Sequence, residues 1–206
     1  EQGLSLVADL SRADATLLVK HGADAVVVAQ TRPHSIASVY RQSWLGRRLP
    51  LSEYPLLASS LVEGRRNKRQ IKLLDQGATI VQQAFPVLLD GKPIPAALQL
   101  ETSLIAWERQ RRRHESFRRA VAWLREMVLR GDLPGAGDST AFSEWDGVLM
   151  GDTAYRIQYL SGIANNLYRR LGYLDELRGQ HIGDLQTRDE MLIREAFASL
   201  ACQQHQ

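Results

Sequence analysis

ATLLVKHGADAVVVAQTRP, residues 15–33, reads as two apolar strands around the turn His21–Gly22–Ala23–Asp24. Gly22 supplies the positive φ that a tight hairpin needs. The flanking sequence extends this hairpin into a sheet with helices packed on it. Upstream, LSLVADLSRAD (4–14) places Leu4, Leu6, Val7 and Leu10 at helix spacing. Downstream, SIASVY (35–40) is predicted as a third strand. Ser52 is predicted to cap a helix over Glu53–Val62 that closes at Gly64. Pro55 fits its first turn, where no backbone donor is needed. ATIVQQAFPVLLDGKPIPAALQLET (78–102) reads as a second hairpin turning at Asp90–Gly91. Its prolines, Pro86, Pro93 and Pro95, suit strand ends, bulges or edges.

The segment from Ser103 to Arg130 contains no Gly or Pro over about seven turns and is predicted as one long helix. Phe117, Val121, Leu124 and Val128 form a single apolar stripe along its second half, with Ala120 and Met127 beside them. The stripe is shorter than the three or four heptads of a coiled coil. It is either a face buried in its own domain or the seam of a dimer. GDLPGAGDST (131–140) has the composition of a linker.

Composition narrows the classes. The net charge of +3 is too small a basic excess to indicate a nucleic-acid binder by itself, although the pI is about 9.2. No apolar run approaches the ~18 residues of a membrane span. The N-terminal stretch lacks the basic region of a secretory signal. The single cysteine, Cys202, cannot form an internal disulfide and suits a reducing compartment, so a cytoplasmic location is expected.

The residues then carry a resemblance. The first hairpin, VYRQSWLGRRLPLSEYPLLASSLVEGRR (39–66), the second hairpin and the exit helix together resemble a GAF-type sensor domain. Gly46–Leu57, with Leu61 and Gly64, is similar to the segment that GAF domains lay across the ligand face of their sheet. RIQYLSGIANNLYRRLGYLDELRGQHIGDL (156–185) resembles the opening half of a PAS domain: a strand with Ile157 and Tyr159, a helix over 163–173, then a Gly-punctuated strand. The order of parts, with ADLSRAD (8–14) and AQTRP (29–33), resembles the N-terminal region of cytosolic sensor histidine kinases with a HisKA-2 type core. The resemblance implies an α+β fold. Its parts would be a GAF-like antiparallel sheet with helices at 1–102, a connecting helix at 103–131, a linker at 132–152 and an incomplete PAS domain at 153–206. The kinase core has no counterpart in these residues, so the chain is expected to be a fragment without catalysis of its own. Its PAS half would be rearranged or paired with another copy.

The same resemblance implies a small-molecule site beside Tyr40, Trp44, Arg47, Arg48 and Tyr54. An aromatic ring there could stack on a planar ligand and an Arg could hold an anion. Trp44 and Tyr54 could equally be core. A second pocket is expected at Tyr159, Asn165 and Tyr168. No cofactor is evident. The expected partners are a second copy through Phe117, Val121, Leu124 and Val128, an unidentified small-molecule signal, and a response regulator through the kinase core. Neither membrane nor nucleic acid is expected. The clusters Arg65, Arg66, Lys68, Arg69, Lys72 and Arg111–Arg113 read as solvated. They also leave open a GAF-domain transcription or RNA regulator that binds nucleic acid. A small enzyme would need a convergent polar cluster such as Arg48, Gln82 and Tyr54. The five histidines, His181 among them, lack metal-site spacing, and His181 is expected in packing before any ligand role.

Overall fold

The structure is a computed structural model that describes residues 3–34, 36–66, 70–73, 77, 79–132 and 146–185. It divides into two compact units, 1–144 and 145–206.

The first unit is built on an antiparallel sheet of six strands in the order β3-β2-β1-β6-β5-β4. β1 (Asp14–His21) and β2 (Asp24–Thr31) form the first hairpin. β5 (Thr79–Leu89) and β6 (Lys92–Ser103) form the second, and β6 pairs with β1 to join the two. Asp90 (φ 50°) and Gly91 (φ 73°) are both left-handed, the backbone that a two-residue type I′ turn requires. Pro86 sits at a register shift, and Pro93 and Pro95 lie on β6 beyond the end of its pairing with β1. No ladder bond with β1 is lost at either. The edge strands β3 (Arg48–Pro50) and β4 (Gln70–Leu73) were not expected from the sequence.

The two faces of the sheet are covered differently. One carries α1 (Leu4–Ser11), α3 (Leu104–Arg111) and α4 (Glu115–Arg130). Here Leu4, Val7 and Ala8 of α1 and Leu129 of α4 pack on Ala15, Phe85, Leu98 and Leu100, with Leu124 and Val128 against them. The other face carries α2 (Pro55–Glu63), whose Leu57 and Leu61 pack on Leu18, Val27, Leu49 and Ala97. The alternation of β6 serves both faces, with Leu98 and Leu100 on one and Ala97 on the other.

Three expectations for the first unit need correction. Residues 36–40 form no strand; they are a loop, and Ser35 lies outside the described residues. Ser52 caps no α-helix, because a 3-10 turn covers Leu51–Glu53 and α2 begins at Pro55. The cause is Pro55, which drives Tyr54 out of helical backbone, so the helix cannot start earlier. The segment 103–130 is two helices, not one. Ser103 caps α3 by accepting from Ala106 N–H (3.2 Å), and His114 Nδ1 caps α4 by accepting from Ser116 N–H (3.3 Å). The apolar stripe is turned inward: Phe117 is buried, and Leu124 and Val128 pack on the domain's own core. On the outer side of α4, Trp123 and Met127 are exposed.

The second unit holds a short hairpin, β7 (Leu149–Gly151) with β8 (Ile157–Leu160), and α5 (Gly162–Arg170). Ser161 caps α5, accepting from Ala164 N–H (3.2 Å) and from Val148 N–H (3.0 Å), so one hydroxyl ties the helix to the entry of β7. Ile157, Leu177, Ile182 and Leu185 form its core. Residues 175–185 make turns, a single bridge between Arg156 and His181 and a 3-10 turn over Ile182–Asp184 instead of the expected Gly-punctuated strand. The linker segment 133–145, Cys202 and His205 lie outside the described residues.

Candidate functional site

On the α2 face, three adjacent strands bring polar side chains into one buried row. Register sets Asp14 of β1 opposite Glu101 of β6, and Glu101 opposite Gln82 of β5. Asp14 and Glu101 are each 1% exposed. The next row places Thr16 opposite Gln99, and both are buried.

A loop over 32–47 closes this row from above. Ser38 Oγ donates to Asp14 Oδ1 (2.7 Å) and Val39 N–H donates to Oδ2 (2.7 Å). Tyr40 Oη donates to Glu101 Oε1 (2.7 Å), which also accepts from Gln82 Nε2. At its near end the loop is held by a third buried acid, Asp9, which accepts from His34 N–H (2.6 Å) and lies 3.0 Å from His34 Nδ1. At its far end Trp44 N–H donates to Gln30 Oε1 (2.7 Å), and Gly46 N–H to Val27 O (2.9 Å). The loop is thus clasped by side chains where a strand ladder would otherwise hold it.

Burial pushes the carboxyls of both Glu101 and Asp14 upward. Hydrogen bonds from Gln82, Tyr40 and Gln99 oppose the shift at Glu101, while the nearby Asp14 adds to it. Ser38 and Val39 oppose it at Asp14. The Tyr40 hydroxyl is pushed far up by burial and then by Glu101, so it remains a donor at any physiological pH. Burial also raises Tyr54, with Arg47 pulling the other way.

The residues expected at the site separate into two groups. Tyr40 and Trp44 are in ring contact at 4.2 Å, and the Arg47 guanidinium lies 4.9 Å from the centre of the Trp44 ring. Tyr54 packs with Trp44 against the Leu57 core cluster. Arg48 stands apart, exposed on the edge strand β3 beside buried Leu49. β3 and β5 are four strand spacings apart, about 19 Å, so Arg48 and Gln82 do not converge and the enzymatic cluster is not assembled. Asp14, Glu101, Gln99 and Asp9 were not anticipated from the sequence.

In the second unit Tyr159 is buried, Asn165 is half-buried on the first turn of α5, and Tyr168 is half-buried, edge-on to Tyr173 at 5.8 Å. His181 Nδ1 accepts from Gly183 N–H (3.1 Å), a turn-capping role. Among the basic residues, Arg65 pairs with Glu63 (3.3 Å), Arg66 with Glu126, and Arg111 with Glu108 (3.5 Å). Lys68, Arg69 and the side chain of Lys72 lie outside the described residues. Among the described residues no group of acids, histidines or cysteines could hold a metal ion, and no helix is long and apolar enough to cross a membrane.

Comparison with known proteins places this geometry. A family model described as the GAF domain of the histidine kinase PdtaS matches residues 1–121. The solved sensor region of a sensor histidine kinase superposes with a TM-score of 0.63 and 24% identity, over 93% of this chain and 70% of that one. An IclR-family transcriptional regulator from Rhodococcus sp. superposes with a TM-score of 0.40 and 15% identity, covering 61% of this chain and 58% of that one. Another transcriptional regulator from Rhodococcus sp. gives 0.40 and 18% identity, covering 62% and 66%. No curated protein matches the sequence.

Proposed function

On the premise that this chain belongs to the family of PdtaS histidine kinase GAF domains, we propose that its first unit receives a signal at the loop over 32–47 and passes it to α3 and α4. The observation that carries this reading is the position of Glu101. It anchors the loop through Tyr40, and it lies on β6 two residues before Ser103, the cap of α3. Seating or release of the loop acts on the strand end from which the helices leave. A ligand that binds one loop state more tightly shifts the population of the two. Trp44, with Tyr40 and Tyr54, offers it an aromatic surface, and Arg47 offers a cation at the rim.

In the kinase that carries this region, the shift sets autophosphorylation of a downstream histidine and transfer to a response regulator. The second unit takes the role of an incomplete PAS module, with Tyr159, Asn165 and Tyr168 beside its pocket. The pairing surface for a second copy is the outward side of α4, at Trp123 and Met127, because the stripe from Phe117 to Val128 is spent on the domain's own core.

Amide hydrogen exchange of Tyr40→Phe tests the relay. Exchange is expected to rise in residues 36–47 and, with them, in 104–112. A rise confined to the loop would sink the coupling while leaving the anchor intact.

A further inference from the structure

The opposite face of the sheet carries a cavity of about 390 Å³ between α3, α4 and the central strands. It shares no lining residue with the loop site. Its floor is apolar, made by Ala13, Val81 and Leu100, and Trp107 and Val121 wall it from the helices. Arg111, Arg118 and Arg125 also line it, with the short polar side chains of Ser11 and Thr102.

The charge around this cavity is not balanced. The Arg125 guanidinium lies 4.1 Å over the Phe85 ring, and its Nε is buried with no hydrogen-bond partner. Burial lowers its pKa and Glu126 pulls it back in part, yet a guanidinium does not deprotonate in a protein, so the remaining cost of the buried charge stands. The adjacent acid, Glu126, is committed to Arg66, and Glu108 is committed to Arg111. Ser11 Oγ is likewise buried and has no partner. Arg12, close by in sequence, is lowered first by burial and then by the positive charges of Arg113 and Arg109. A half-enclosed apolar space lined by a buried cation with an unpartnered Nε and by an unused hydroxyl suits an anion.

We propose that this cavity is a second binding site, for a small amphipathic carboxylate whose flat apolar body lies against Trp107 and Val121 and whose carboxylate meets Arg125. The volume lies within the range of ordinary small-molecule pockets, roughly 300–1,000 Å³. The planar fork of Arg matches a carboxylate through two parallel hydrogen bonds. A phosphate dianion would bring twice the charge into the same apolar lining and a larger desolvation cost, which favours the singly charged group. Binding here is a separate claim from the loop-driven relay, and its test does not depend on that relay.

The test is isothermal titration of the chain with benzoate, 2-naphthoate and octanoate, with the neutral 2-naphthamide as the uncharged match. One-to-one binding of at least one carboxylate is expected, with the amide weaker by about tenfold or more, the size of a charge-assisted bond. Arg125→Met keeps a long unbranched side chain beside Phe85, removes the cation and is expected to cost a similar factor. Val121→Trp fills the cavity, keeps the cation and is expected to abolish binding. Trp44→Ala, in the loop site, is expected to leave it unchanged. Thermal unfolding of each variant confirms that it is folded before its titration is read. The proposal is overturned if no carboxylate binds up to about 5 mM, near the weak end of useful affinity. It is equally overturned if Arg125→Met binds as the parent does, or if Trp44→Ala alone removes the binding.

Discussion

Glu101→Gln tests the buried row most directly. Glu101 is 1% exposed, and burial raises its carboxyl pKa above the ordinary range. In the unfolded chain a glutamate titrates near 4.3. Between that value and the raised value of the folded state, the native protein binds more protons than the unfolded one. Stability therefore falls as pH rises through this window, by up to about 1.4 kcal/mol per pH unit from this group, and levels off above the folded pKa. Asp14 adds a loss of the same sign, because burial raises it too. Glutamine has the shape of the protonated acid, and its amide oxygen can still accept from Tyr40 and Gln82. It cannot ionise. Each unit by which the folded pKa is raised is worth about 1.4 kcal/mol, so the variant is expected to be more stable than the parent at pH 8 and little changed at pH 4.5. At this domain size every 1 kcal/mol gained is a rise of about 3–5 °C in Tm at the higher pH. The assay is urea and thermal unfolding of parent and variant across pH 4.5–8. A variant less stable than the parent at pH 8 would refute the reasoning. It would mean that Tyr40, Gln82 and Gln99 hold an ionised carboxylate strongly enough to outweigh its desolvation.

Two further outcomes follow from single positions. Gly64 ends α2 with φ 63°, and a Cβ there would lie 2.6 Å from Pro93 Cγ. Gly64→Ala is expected to cost at least about 2 kcal/mol in urea unfolding, from left-handed strain together with the clash against the β5–β6 hairpin. A cost under half of that would mean the hairpin yields easily. Trp123 and Met127 are 59% and 40% exposed on α4. The double substitution Trp123→Ser, Met127→Ser is expected to convert a dimer to a monomer in sedimentation experiments without lowering Tm, and a dimer that persists would move the pairing surface elsewhere.

The sheet and its hairpins were legible because they rest on local signals: alternation, the His21–Asp24 turn and Asp90–Gly91. The short edge strands were not, since Arg48–Pro50 is too brief to show a period and Gln70–Leu73 sits among charges. The site was half legible. Tyr40, Trp44, Arg47 and Tyr54 were named from the sequence and lie close together on the loop and the start of α2. Their buried partners were hidden by a pattern that reads two ways. In LQLETS (98–103), polar Gln99 and Glu101 alternate with Leu98 and Leu100, as they would on a strand with one wet face. What dries that face is the loop over 32–47, of which only residues 35–40 were expected as a strand. The alternation of Ser38 and Tyr40 was real, but each side chain serves a carboxylate and not a ladder.

The break between α3 and α4 changes what can be transmitted from the sheet. One unbroken helix leaving β6 would carry a rotation as a rigid rod. Two helices capped by Ser103 and His114 cannot, because the turn at Arg112–His114 absorbs any twist of α3. Nothing in the sequence announces that turn by Gly or Pro. What changes there is what the helix faces: α3 has no apolar stripe and its second half carries Glu108, Arg109 and Arg111, whereas α4 buries Phe117 and packs Leu124 and Val128 on the domain core. In the proposed relay, motion at Glu101 would reach α4 through the core cluster of Phe85, Leu98, Leu100 and Leu129 more directly than along the backbone. Packed cores of this kind switch between discrete arrangements instead of bending smoothly. The Arg125 cavity lies between these two helices and the same strands. An occupant there would prop α3 and α4 at one spacing from β6, so under the two proposals together the two faces of one strand would let two different molecules act on the same pair of helices.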